Sequence, residues 1–102
     1  MILVRTVLQG KFGSGGTLAA SFSKTAGAMM TESGAKGRWR VLTDLSGQFD
    51  NLVLEVEVES LAEWEKLRVK QFEVAAFRDS MTTIRELVVS GRNELWTIEA
   101  EG

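Results

Sequence analysis

Glutamates recur at every second position in "NLVLEVEVES", so a strand here would carry Glu55, Glu57 and Glu59 on one side. Three carboxylates on one face invite a metal site. Residues two apart on a strand lie about 6–7 Å from each other, however, too wide to converge on one ion without ligands from another element. Just upstream, "GRWRVLT" alternates Arg38 and Arg40 with Trp39 and Val41. In a hairpin, Arg40 would fall near Glu57 and Arg38 near Glu59. Such ion pairs contribute a few tenths to about 1 kcal/mol each. An ion-pair network is expected, and no metal.

Two other constellations invite chemistry. The loop "GKFGSGGT" has the glycines of a phosphate cradle, but Lys11 stands at its start rather than beside the closing Thr17. A dinucleotide fingerprint counted from Gly13 would need glycine where Leu18 stands. Both motifs fail, leaving a flexible connection or lid whose amides could attract an anion at a helix start. The third constellation is aromatic. Trp39, Trp64 and Trp96 fall on apolar faces, and Arg68 and Gln71 fall inside a helical apolar stripe. A helix seated on a closed core rarely places two such groups there, because unpaired buried polar groups cost several kcal/mol, about 2–7 each. With Thr43 and Thr6 from the sheet side, they suit a small-molecule pocket: aromatic walls, Arg68 as anchor, Gln71 and Thr43 as orienting hydrogen-bonders. The plainer alternative is packed tryptophans, a snorkelling Arg68 and a solvated Gln71.

Composition narrows the options. The chain has 102 residues and a net charge of −2, with no His, Cys, Tyr or Pro. One domain, residues 1–102, is expected. A Ser-His-Asp triad, a Cys-His dyad and a His-ligated haem or zinc site cannot be built from these residues. No basic stripe points to nucleic acid, and no apolar run approaches a membrane span. "MILVRTVL" carries Arg5 inside its apolar stretch and reads as a strand rather than a signal peptide. A cytoplasmic protein without a cofactor is the expectation.

The elements that must position these groups follow from periodicity. Strands are expected over 2–9, 38–45, 52–59 and 94–100, with helices over 17–33 and from Leu61 onward. Ser14 or Thr17 suits the first helix start and Gly34 its left-handed stop. Ser60 and Glu63 have capping-box spacing. The second helix carries Leu61, Trp64, Leu67, Phe72 and Ala75 on one stripe. Val74, Phe77, Met81, Ile84 and Val88 then lie nearly opposite, so a bend is expected near Ala75–Arg78. Gly91 and Asn93 read as the turn into the last strand.

The order β-α-β-β-α-β predicts a ferredoxin-like α+β fold with a four-stranded antiparallel sheet. Alternation places Trp39, Val41, Leu54, Val56 and Trp96 on the helix-covered face. The other face carries Arg5, Arg38, Arg40, Glu55 and Glu57 with an apolar band of Leu3, Val7, Leu42, Val53 and Leu95. Helices cover only one side of such a sheet, and an exposed apolar band marks an interface. A homodimer through this face is expected.

The stretches "GQFDNLVLEVEVESLAEWEKL" and "ELVVSGRNELWTIE" resemble the dimeric α+β barrel superfamily, in particular its NIPSNAP-like and antibiotic-biosynthesis-monooxygenase-like members. The likeness in element order spans the chain, and the residue-level likeness its second half. It implies sheets closing into a barrel across a dimer, with helices outside. It also implies a small apolar ligand between helices and sheet, in some relatives oxidised without metal or flavin. Haem-binding relatives usually use a His, which this chain lacks. Three functions stay open: a ligand-binding dimer, a cofactor-independent monooxygenase or isomerase, and a structural or partner-binding dimer with no ligand. The missing proton shuttle weighs against the second.

Overall fold

A computed structural model describes residues 1–102. Four strands, β1 (Ile2–Gly10), β2 (Trp39–Thr43), β3 (Asn51–Val58) and β4 (Val88–Thr97), form one antiparallel sheet in the order β2-β3-β1-β4. Helix α1 (Gly15–Ser33) joins β1 to β2. Helix α2 (Leu61–Lys70), a 3-10 turn over Gln71–Glu73 and helix α3 (Ala75–Leu87) join β3 to β4. This is the ferredoxin-like α+β arrangement that the element order predicts. No helix is long and apolar enough to cross a membrane.

Local chemistry sets the boundaries. Gly34 ends α1 at φ 72°, in the left-handed region where glycine carries no Cβ penalty. The Ser60 hydroxyl accepts from the Glu63 amide at 3.1 Å, and the Glu63 carboxylate accepts from the Glu59 amide, also at 3.1 Å. That is capping-box logic reaching one residue further back. The break between the two apolar stripes comes earlier than the spacing predicts. α2 ends at Lys70, and Val74, extended and buried, resets the helix phase. Phe72, expected on the buried stripe, is instead largely exposed and packs edge-on against Phe77 at 5.4 Å. Leu61 is exposed too.

The last strand departs most from expectation. α3 passes into β4 without a turn, and Gly91 and Asn93 lie inside the strand, paired with Leu8 and Thr6. Gly91 is a close-approach glycine: a Cβ there would sit 2.5 Å from Leu8 Cδ2. The register pairs Leu3 with Trp96 and Val4 with Leu95. Trp96 therefore lies on the uncovered face and Leu95 on the helix side, the reverse of the predicted phase, because a one-residue shift flips a whole strand.

Two buried clusters tie helices to sheet. Leu8, Leu18 and Leu52 close one end, and Val4, Met30, Val56, Val58 and Leu67 the other. Between them runs the row Leu54–Thr6–Asn93, where the polar Thr6 and Asn93 stand beside the layer's unfilled space.

Candidate functional site

A cavity of about 290 Å³ sits over that row, under α1, α2 and α3. Eleven of its 16 lining residues are hydrophobic, so its interior favours apolar matter. The sheet contributes Val4, Thr6, Leu54, Val56 and Asn93, and α1 contributes Phe22, Thr25, Ala26, Met29 and Met30. Trp64, Leu67, Arg68, Gln71, Phe77 and Ile84 complete the wall. Two of its polar groups are satisfied internally. Thr6 Oγ1 lies 2.7 Å from Asn93 Oδ1 and donates to it, and Thr25 donates back to Ser21 O at 2.9 Å.

Of the six residues expected to bind a ligand, the structure brings Trp64, Arg68 and Gln71 together on this cavity. The other three lie elsewhere. Trp39 faces the helices but packs on Gly27 of α1, where a Cβ would meet its ring at 3.6 Å. Thr43, at the end of the edge strand β2, is exposed opposite Leu52. Trp96 lies on the uncovered face and donates from Nε1 to Glu94 at 3.1 Å. Asn93 was hidden from the sequence because it reads as a turn residue. Phe77 and Ile84 stand on the second helical stripe, but only the break before Ala75 swings that stripe over the cavity.

The uncovered face is organised by charge. By register, Arg40, Glu55, Arg5 and Glu94 form one row across all four strands, with alternating sign. Glu55 accepts from Arg40 Nε and from Arg5 Nε, the latter at 2.9 Å, and Glu94 accepts from Arg5 at 3.0 Å and Arg92 at 2.8 Å. The hairpin register thus differs by two residues from expectation. Arg40 meets Glu55, not Glu57, and Arg38 meets Glu57 at 3.3 Å, not Glu59. A slip of two keeps every side chain on its face. Burial pushes the Glu55 carboxyl up, but the hydrogen bonds and charges of Arg40 and Arg5 outweigh it and hold its pKa below the ordinary carboxylate range. Hydrogen bonds from Arg92, Trp96 and Arg5 lower Glu94 to about 2. The belt splits the expected apolar band in two, Leu3 with Trp96 on one side and Val7, Val53 and Leu42 on the other.

The glycine-rich loop already holds an anion from its own chain. Asp50, at φ 59°, accepts from the amides of Gly13 at 2.7 Å and Gly15 at 2.9 Å. It caps α1 from 35 residues away, while Ser14 Oγ at the expected cap position has no partner. A separate depression of about 310 Å³ between the end of α1 and α2 is ringed by Lys36, Lys66, Lys70, Glu59 and Glu63. Its mixed charges offset one another.

Solved structures share this architecture. A NIPSNAP family protein of unknown function from Agrobacterium tumefaciens superposes with a TM-score of 0.78 at 12% identity, covering 94% of this chain and 86% of its own. A NIPSNAP-like domain protein from Burkholderia xenovorans gives 0.78 at 15% identity, covering 94% and 83%. An antibiotic-biosynthesis-monooxygenase-like protein from Chloroflexus aurantiacus gives 0.73 at 12% identity, covering 99% and 96%. No family model and no curated protein matches the chain. The chain therefore has the NIPSNAP-like, ferredoxin-like α+β fold.

Proposed function

We propose that this chain is the single-domain protomer of a homodimer that binds a small, mostly apolar organic molecule in the helix–sheet cavity. The observation that carries this reading is the make-up of that space. An apolar space of about 290 Å³ collects Trp64, Arg68 and Gln71 where a closed core would exclude two of the three. Trp64 forms a wall, Arg68 sits at the rim with its side chain 54% exposed, and Gln71 orients the ligand. The second copy covers the sheet face that carries Arg5, Arg38, Arg40, Glu55 and Glu57. No helix lies on that face, and it carries Leu42 and Trp96 exposed on either side of the ion belt. The cytoplasm is the proposed compartment, and with no Cys the chain has no disulfide that would require an oxidising one.

Trp39→Phe with Trp96→Phe leaves Trp64 as the sole tryptophan. Its fluorescence should respond in a saturable way to small aromatic and fatty compounds. No response across such a set would remove the binding reading and favour a structural dimer. Oxygen consumption with the compounds that bind separates a cofactor-independent oxygenase from a binder. Light scattering at micromolar concentration tests the dimer, which a monomer-only result contradicts.

A further inference from the structure

We infer that the cavity's ligand is an anion, an apolar molecule ending in a carboxylate seated against Arg68. This rests on the binding reading above and names the ligand's chemistry. Arg68 is the one charged residue among those lining the cavity, and no Asp or Glu lines it. Its single protein partner, Glu65, is 3.4 Å away and largely exposed, a weak hold that a ligand carboxylate can replace.

The remaining polar inventory points the same way. The hydroxyls of Thr6 and Thr25 are already donating, to Asn93 Oδ1 and to Ser21 O. Asn93 Oδ1 spends one lone pair on Thr6, and its amide N–H groups, on an exposed residue, have no protein partner. The Gln71 side chain has none either. The Arg68 guanidinium is the one wall group that only donates; the Asn93 and Gln71 amides can donate or accept as a ligand requires. A ligand bearing acceptors satisfies the Arg68 donors, and an ammonium would meet a cation whose one counter-charge is the exposed Glu65. A guanidinium selects a carboxylate over a neutral acceptor because the charged hydrogen bonds are stronger and can be bidentate. Exposure sets the orientation. Arg68 stands at the solvent side, so the carboxylate keeps part of its hydration while the apolar body lies among Met29, Met30 and Ile84.

Three probes with one body test this at neutral pH: 2-naphthoate, 2-naphthylmethanol and 2-naphthylmethylammonium, titrated by calorimetry. The naphthoate should bind at least about tenfold more tightly than the alcohol, and the ammonium most weakly. Arg68→Met, on an exposed helix position, should abolish that preference and leave the alcohol within about twofold. Acid and alcohol binding equally, the ammonium binding best, or a preference that survives Arg68→Met would overturn the anion inference and leave the cavity reading intact. Failure of all three probes to bind would overturn both.

Discussion

Replacing Ala26 by leucine reports directly on whether the space between helices and sheet is real. Ala26 is 2% exposed, sits on α1 and lines the cavity. Leucine adds three carbons. At about 0.8 kcal/mol per buried methylene, their gross gain is about 2.4 kcal/mol. Ordering the leucine rotamer offsets about 0.5–1 kcal/mol. The net is stabilisation by about 1.5 kcal/mol, or about 6–12 °C in Tm for a chain of this size. In a filled core the same substitution overpacks and destabilises by about 1–3 kcal/mol. The two cases differ in sign, so urea unfolding with linear extrapolation separates them. Wild type and variant must be compared at one protomer concentration, because self-association would make stability concentration-dependent. Gly37→Ala serves as the opposite control. A Cβ there would collide with the Glu57 carbonyl oxygen, so it should destabilise by about 1–3 kcal/mol. If Ala26→Leu falls on the same side as Gly37→Ala, the cavity reasoning is wrong. If it stabilises, it should also weaken binding of the naphthyl probes.

Other consequences follow from the belt and the loop. Glu55→Gln leaves Arg40 without its partner and Arg5 with Glu94 alone. Both arginines keep access to water, so the loss should be about 1–2 kcal/mol rather than the 3–5 kcal/mol of a fully buried pair. Because the folded pKa of Glu55 is depressed, its contribution is present above the ordinary carboxylate pKa and lost as pH falls through the folded value. The gap between wild type and Glu55→Gln should therefore close in acid, and a gap that widens would reverse the assignment. Glu94 should add a loss of stability between pH 4.5 and about 2, which Glu94→Gln removes from the pH profile. Asp50→Ala uncaps the amides of Gly13 and Gly15 and should cost about 1–2 kcal/mol, with faster hydrogen exchange at those two amides. Trp96→Arg should shift the light-scattering mass toward monomer while leaving the circular dichroism unchanged. An unaltered mass would place the interface elsewhere.

Period-two alternation was enough to separate the faces of β1, β2 and β3, because each of those strands is bounded by glycine or polar turns. The same alternation failed on β4, where no turn separates helix from strand. Val88 completes a helical stripe in sequence but starts the strand in the fold, and Gly91 mimics a turn although its role is to let Leu8 approach. That single misphasing moved Trp96 out of the expected pocket. Alternation puts Trp39 on the right face, yet the residue lies on the edge strand against Gly27, a position that strand order decides and alternation does not. Trp64, Arg68 and Gln71 were legible because all three share one helical stripe, which carries its own geometry wherever the helix docks. The Asp50 cap was not legible, since a carboxylate 35 residues downstream of the amide it serves leaves no local signature.

The methionines offer the most direct test of ligand binding in the cavity. The chain has four, and Met29 and Met30 line the cavity while Met1 and Met81 do not. With methyl-labelled methionine, a carbon–proton correlation spectrum carries both site and control signals. On titration with 2-naphthoate, the Met29 and Met30 methyls should shift together in a saturable way while Met1 and Met81 stay fixed. Shifts confined to Met1 or Met81, or no saturable shift at Met29 and Met30, would contradict binding between the helices and the sheet.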